Sequence, residues 1–196
     1  MTESLIFAGT PANAAATLEY LVGHGFEISL VITRPDALVG RKRVLTPSPV
    51  AISATKLGLE VYKTDKIDNA AIAKIDETQC STAVVVAYGA LLKAPALAAL
   101  SNGWFNLHYS LLPKWRGAAP VQHAILSGDK ITGVTLFKID EGLDTGPVVA
   151  AVPTQIQPGE TSGRLLSRLT ELGCTLLSQE LPRILLESNQ LTAQEP

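Results

Sequence analysis

The feature that most restricts the fold is the pattern over residues 4–33. It consists of an apolar strand, a breaker, a helical stripe and a second apolar strand. Residues 4–8 form a short apolar run that Gly9, Thr10 and Pro11 terminate. Thr10 reads as a helix cap with Pro11 in the first helical position. Ala15, Leu18, Leu21 and Val22 then recur at helical spacing, and residues 26–33 read as the second strand. A strand, a helix and a strand in so short a span make a βαβ unit, which calls for a parallel pair with a right-handed crossover. The expected class is therefore α/β: a Rossmann-like, mostly parallel sheet with helices on both faces. Gly9 is not part of a G-x-G-x-x-G pattern, which argues against dinucleotide binding.

The rest of the chain extends this layout. Residues 82–87 are a continuous, mostly β-branched run, as expected of a strand buried on both faces of a parallel sheet. Tyr88 and Gly89 close it, and Gly89 would let a ligand approach the backbone. Further strands are expected at residues 59–62, 133–139 and 147–152, the last two antiparallel because a short loop joins them. Helices are expected at residues 70–75, 94–100 and 120–126, and after the Ser48-Pro49 cap. A last helix begins at Thr161 or Ser162, buries Leu165, Leu169, Leu172 and Leu176, and kinks or ends at Pro182. Residues 34–47 read as a loop without apolar periodicity. Arg34, Arg41, Lys42 and Arg43 there face one acid, Asp36. Such a segment is either a solvated mobile loop or an arm that contacts phosphates.

Composition narrows the function classes. With 196 residues and 46% hydrophobic content the chain supports a substantial core. At 17% charged residues, little of it looks disordered. A net charge of −2 advertises no nucleic-acid partner globally, so any such contact must come from a local basic patch. Cys80 and Cys174 show neither metal nor redox spacing and read as reduced thiols of a cytosolic protein. No apolar run reaches membrane-spanning length, and the start lacks a signal-peptide pattern. Three histidines and two cysteines form no ligand cluster, so no metal is expected.

The chemistry concentrates in residues 104–117. Phe105, Leu107 and Tyr109 alternate with Asn106 and His108, the period of a strand, and Pro113 and Gly117 end it. A carboxamide and an imidazole therefore project from one face near the carboxyl end of a strand, where open α/β sheets bind ligands. Taken by itself, the pair is equally compatible with a satisfied polar pair at a strand end.

The longer string decides between the two. Asn106-x-His108-x-Ser110-Leu111-Leu112-Pro113 followed by Arg116-Gly117-Ala118-Ala119-Pro120 resembles the signature of folate-dependent formyltransferases. Phe7-Ala8-Gly9-Thr10-Pro11 before it and Gly142-Leu143-Asp144-Thr145-Gly146 after it extend the resemblance, in order, over nearly the whole chain, and point to the methionyl-tRNA formyltransferases within that family.

The resemblance implies transfer of a formyl group from 10-formyltetrahydrofolate to the amino group of initiator methionyl-tRNA, by a cytoplasmic monomer that uses folate as co-substrate and no metal. It makes Asn106, His108 and Asp144 the catalytic set. Folate contacts fall on Tyr88, Gly89, Leu91, Ser110, Leu111, Leu112, Pro113 and Asp140. Arg34, Arg41, Lys42 and Arg43 become tRNA contacts, because in these relatives a loop inserted here reaches the acceptor stem. Residues 1–186 become a catalytic domain and residues 187–196 the start of a linker to a C-terminal β-barrel domain absent from this sequence. Formyl transfer to an amine fits these residue types. Asn106 is a neutral donor for the developing oxyanion, His108 a second donor, and Asp144 a carboxylate that orients the imidazole, favours its protonated form and relays the amine's proton through water. Ser110 lacks a nucleophile-elbow pattern, so its hydroxyl is also read as fixing the turn. Arg116 is open between a structural ion pair and a substrate contact. A glycinamide nucleotide, a sugar amine or water could instead accept the formyl group. A non-catalytic nucleotide- or RNA-binding module is a further alternative.

Overall fold

The computed structural model describes residues 3–195 and divides the chain into two compact units, Met1–Gly103 and Trp104–Pro196. In the first, β1 (Leu5–Gly9), α1 (Ala12–Gly23) and β2 (Ile28–Thr33) form the expected βαβ unit, with β1 and β2 parallel. A hairpin of β3 (Ala37–Val39) and β4 (Val44–Thr46) follows. Next come α2 (Pro49–Lys56), β5 (Val61–Lys63), α3 (Asn69–Glu77), β6 (Thr82–Val86) and α4 (Ala94–Ala98). The sheet of this unit runs β5-β2-β1-β6, parallel throughout. Every residue of β1 and β6 is buried, so side chains on both faces of these strands are covered, as the apolar runs required. Helices α1 and α2 pack on each other and on the strands.

In the second unit, β7 (Gly103–His108), α5 (Pro120–Leu126), β8 (Ile131–Lys138), β9 (Val148–Gln155) and α6 (Ser162–Leu185) follow in order. The strand order is β7-β8-β9, antiparallel at both pairings. The α/β, Rossmann-like class with a mostly parallel sheet is thus the observed one, and the β8–β9 pair is antiparallel as expected. Helix α6 buries Leu165, Leu169, Leu176, Leu177 and Leu181. Gly173 makes its approach possible: a Cβ there would lie 2.6 Å from Leu107 Cδ2.

Three expectations are corrected. Residues 34–47 are not a loop, because β3 and β4 pair antiparallel with Leu38 opposite Leu45 and Val39 opposite Val44. Neither face of this hairpin is buried (Leu38 is 53% and Leu45 63% exposed), so no alternation of apolar and polar residues marked it. Thr10 does not cap α1. Pro11 holds the cap position without a side-chain bond, and the Thr10 hydroxyl donates to the Tyr88 carbonyl at 2.9 Å. Pro182 does not end α6, because Leu181 and Ile184 are fully buried and the helix runs on to Leu185. The Ser48 cap is as expected, accepting from the Ala51 N–H at 3.0 Å.

Candidate active site

Strand β7 lies against β8 with Asn106 opposite Phe137 and His108 opposite Thr135. Strand geometry puts Asn106 and His108 on one face, with Phe105 and Leu107 on the other. Asn106 is half-buried, and its carboxamide has no hydrogen-bond partner among the described residues. His108 is 6% exposed, with the edge of the Phe137 ring near it at a centroid separation of 6.5 Å.

The turn after β7 explains the imidazole's orientation. Ser110 is fully buried, and its hydroxyl donates to the Lys114 carbonyl. The Thr135 hydroxyl donates to the Ser110 carbonyl at 2.7 Å and accepts from the Leu112 N–H at 3.1 Å. The Leu112–Pro113 peptide is cis. This network places Trp115, at a left-handed φ of 60°, so that its carbonyl accepts from His108 Nε2 at 2.9 Å. Asp129 locks the indole through a 2.8 Å bond from Trp115 Nε1, and the His123 ring stacks on it at 5.4 Å. A carbonyl can only accept, so the neutral imidazole carries its hydrogen on Nε2 and a lone pair on Nδ1.

That lone pair faces Asp144, with Nδ1 3.5 Å from Oδ2. The same carboxylate oxygen accepts from the Gly117 N–H at 2.7 Å. Residues 140–146 bring Asp144 there by a self-bonded turn. Asp140 Oδ1 accepts from the Gly142 N–H at 3.1 Å and from the Thr145 hydroxyl at 2.7 Å, and Asp144 sits at φ 52°. Burial pushes the His108 pKa below the ordinary imidazole value of 6.5, and it outweighs the opposing pull of Asp144 and the Trp115 carbonyl. From sequence, the carboxylate is expected to favour a charged ring. Desolvation reverses the net direction.

Asn106, His108 and Asp144 thus lie together in the second unit, the first two on one strand and the third on a loop bonded to the same turn. In that unit Leu111 and Leu112 are half-buried, and Pro113 and Asp140 are exposed. In the first unit the Tyr88 ring is buried, and its hydroxyl donates to the Thr64 carbonyl at 2.8 Å. Burial pushes that phenol up to about 12, so it stays protonated. Gly89 adopts φ 84°, Arg34 Nη1 donates to its carbonyl at 2.6 Å, and Leu91 is 71% exposed. Arg34 is therefore bonded to the Gly89 turn, whereas Arg41, Lys42 and Arg43 are exposed at the tip of the β3–β4 hairpin.

Arg116 makes no ion pair among the described residues. Its Nε and Nη2 donate to Gln194 Oε1 at 3.1 and 2.7 Å. Sequence reasoning missed the Trp115 carbonyl and the Gly117 N–H, because backbone groups carry no side-chain signal, and it missed Gln194, which lies in a polar tail. Among the described residues no group of three or more His, Cys, Asp or Glu could hold a metal ion, and no helix is long and apolar enough to cross a membrane.

Comparison with known proteins identifies the family. A curated methionyl-tRNA formyltransferase of Arthrobacter sp. (strain FB24) is 52% identical over 180 residues, covering 92% of this chain. That of Acidothermus cellulolyticus is 50% identical over 174 residues, covering 88% of this chain and 54% of the relative. The chain spans 59% of the length of the Arthrobacter relative. Among solved structures, the phosphoribosylglycinamide formyltransferase of Streptococcus pneumoniae TIGR4 superposes with a TM-score of 0.79 at 21% identity, covering 94% of this chain and 99% of that one. An N-formyltransferase of Helicobacter canadensis, solved with folinic acid and dTDP-3-aminofucose, gives 0.76 at 23% identity, covering 98% of this chain and 68% of that one. These structures share the fold. Residues 3–181 match the formyl transferase family model, and the chain belongs to that family.

Proposed function

We propose that this chain supplies the catalytic part of a methionyl-tRNA formyltransferase, acting in the cytoplasm as a monomer with 10-formyltetrahydrofolate as co-substrate and initiator methionyl-tRNA as acceptor. The observation that carries this reading is the wiring of His108, with Nε2–H committed to the Trp115 carbonyl and Nδ1 turned to Asp144 at 3.5 Å. The amine attacks the formyl carbon, the bond from that carbon to the folate nitrogen breaks, and the proton lost by the amine ends on that nitrogen. Negative charge gathers on the formyl oxygen in between, and the free Asn106 carboxamide donates to it. His108 Nδ1 takes the amine proton, and the Asp144 carboxylate stabilises the imidazolium that forms. A buried ring with a lowered pKa is neutral near pH 7, as this step requires. Folate is assigned the residues expected from the sequence. The Leu111-Leu112-Pro113 run supplies apolar surface there, while the Ser110 hydroxyl serves the turn.

The choice of tRNA over a small amine rests on the cation-bearing hairpin and on the similarity to proteins named for that substrate. The test is a formyl-transfer assay with 10-formyltetrahydrofolate, offering methionyl-tRNA, glycinamide ribonucleotide and an amino sugar in turn. Formylation of methionyl-tRNA in preference to the others is expected. Preference for a small amine would replace the acceptor while keeping the chemistry, and loss of formyl to none of them would overturn the reading.

A further inference from the structure

The tail after α6 reaches the Asp144 loop. Thr192 and Val148 exchange backbone hydrogen bonds of 2.8 and 2.7 Å, pinning residues 190–194 beside the start of β9. Leu191, Thr192, Ala193 and Glu195 are exposed, while Gln194 is turned inward and half-buried. Its Nε2 donates to the Asp144 carbonyl at 2.9 Å and to the Gly146 carbonyl at 2.8 Å. Its Oε1 accepts both bonds from Arg116. A carboxamide offers two N–H donors and one oxygen with two lone pairs, and here all four are used.

We propose that Gln194 is a positioning residue for Asp144. By holding the carbonyls of residues 144 and 146 together with the Arg116 guanidinium, it keeps the Asp144 carboxylate on the Gly117 N–H and against His108. The inference rests on Asp144 being the working carboxylate of the proposed formyl transfer. Asp144 benefits from such support because it is a non-glycine residue at φ 52°, in the left-handed region that a side chain disfavours and that surrounding bonds help to hold. The clamp joins the two segments whose meeting makes the site. Arg116 directly precedes Gly117, whose N–H holds the carboxylate, and the two carbonyls belong to the loop that carries it. A glutamate could accept from Arg116 but could not donate to two carbonyls, so the bonding pattern calls for glutamine.

The test compares the parent chain with Gln194→Ala, Gln194→Glu and, as the reference for complete removal of the acceptor, Asp144→Ala. The readout that needs no turnover is hydrogen exchange at the Gly117 amide. Gln194→Ala and Gln194→Glu should both speed that exchange by about tenfold or more toward the Asp144→Ala rate, while amides of the β8–β9 ladder stay protected. The ladder amides establish that each variant is folded. A ladder that itself loses protection would make Gln194 a general structural residue and overturn the proposal. Unchanged exchange at Gly117 in either variant would overturn it as well. A Gln194→Glu protein with parental exchange would place the whole effect on Arg116. In the formyl-transfer assay kcat should fall in both variants more than KM rises. Absence of formyl transfer by the parent would sink the proposed function, whereas the exchange result would still stand or fall by itself.

Discussion

Trp115 and His108 are joined by a 2.9 Å bond from the imidazole Nε2 to the backbone carbonyl, and this bond decides which ring nitrogen is free. The free one, Nδ1, is the nitrogen that faces Asp144, so a backbone conformation at a tryptophan sets the acid–base character of a histidine seven residues before it. The indole is held for this by Asp129 and His123 rather than by the core.

Removing the working groups should lower turnover without removing the fold. His108→Ala and Asp144→Asn should each reduce kcat by at least about tenfold, since a positioned general base contributes roughly 10²–10⁴. Asn106→Ala should cost about 2.7–4 kcal/mol of barrier, the size of one missing oxyanion donor. Binding of a folate analogue, followed by fluorescence, should change far less in all three. A variant with parental kcat would strip that residue of its role.

The depressed His108 pKa makes stability depend on pH in a definite direction. The unfolded imidazole titrates at about 6.5 and the folded one below it, so as pH falls the unfolded chain takes up the proton first. Stability should be level with respect to this group above the unfolded value, and should decline as pH drops from there toward the folded value. His108→Gln removes the titration, so its stability should fall less over that window. Urea unfolding of both proteins at about pH 7.5 and about pH 5.5 makes the comparison, and equal slopes would count against the buried neutral ring.

Gly146 has a different kind of constraint. A Cβ there would run into the Lys138 carbonyl, which is part of the backbone and cannot swing aside. Gly146→Ala should therefore cost about 1–3 kcal/mol, the usual range for overpacking, and should displace the Asp144 loop that it closes. Chemical denaturation gives the stability and kcat gives the displacement. A variant with the parent's values for both would mean that the loop relaxes freely.

What the sequence made legible follows from which forces act locally. The apolar runs of β1 and β6 and the alternation at Phe105, Asn106, Leu107 and His108 marked buried strands, and the structure has them there. The Asn106–His108 pair was legible because period two fixes its face. The approach of Asp144 was readable through the family resemblance, but its anchor on the Gly117 N–H was not, since that bond depends on two left-handed residues closing two separate turns. Nor did the carboxylate's effect on His108 follow from adjacency. Burial is a tertiary quantity, and it outweighs the charge. The β3–β4 hairpin escaped notice because a strand pair with no buried face carries no pattern.

That hairpin carries the last prediction. Gly40–Arg43 forms its turn, closed by a 3.1 Å bond from the Arg43 N–H to the Gly40 carbonyl, with Arg43 at φ 49°. The turn displays Arg41, Lys42 and Arg43 to solvent, and none of them has an ion-pair partner among the described residues. Charges left unneutralised on a chain of net charge −2 suit a polyanion. If they meet acceptor-stem phosphates, each phosphate neutralised releases counterions, so binding weakens steeply with salt. Replacing all three by alanine should raise KM for methionyl-tRNA and flatten its salt dependence by up to about 0.9 log–log units for each duplex phosphate left unneutralised. Folate binding should be nearly unchanged, because these side chains hold no other described residue in place. Arg34→Ala should behave differently. One of the five N–H donors of Arg34 holds the Gly89 carbonyl while its charge has no ion-pair partner among the described residues, so its removal should disturb the Tyr88–Gly89 turn and weaken folate-analogue binding as well as flatten the salt slope. The measurement is KM for methionyl-tRNA across a salt series for the parent, the triple variant and Arg34→Ala. A triple variant with the parental KM and slope would return the hairpin tip to an ordinary solvated turn, and with it would go the main physical reason for choosing tRNA over a small amine.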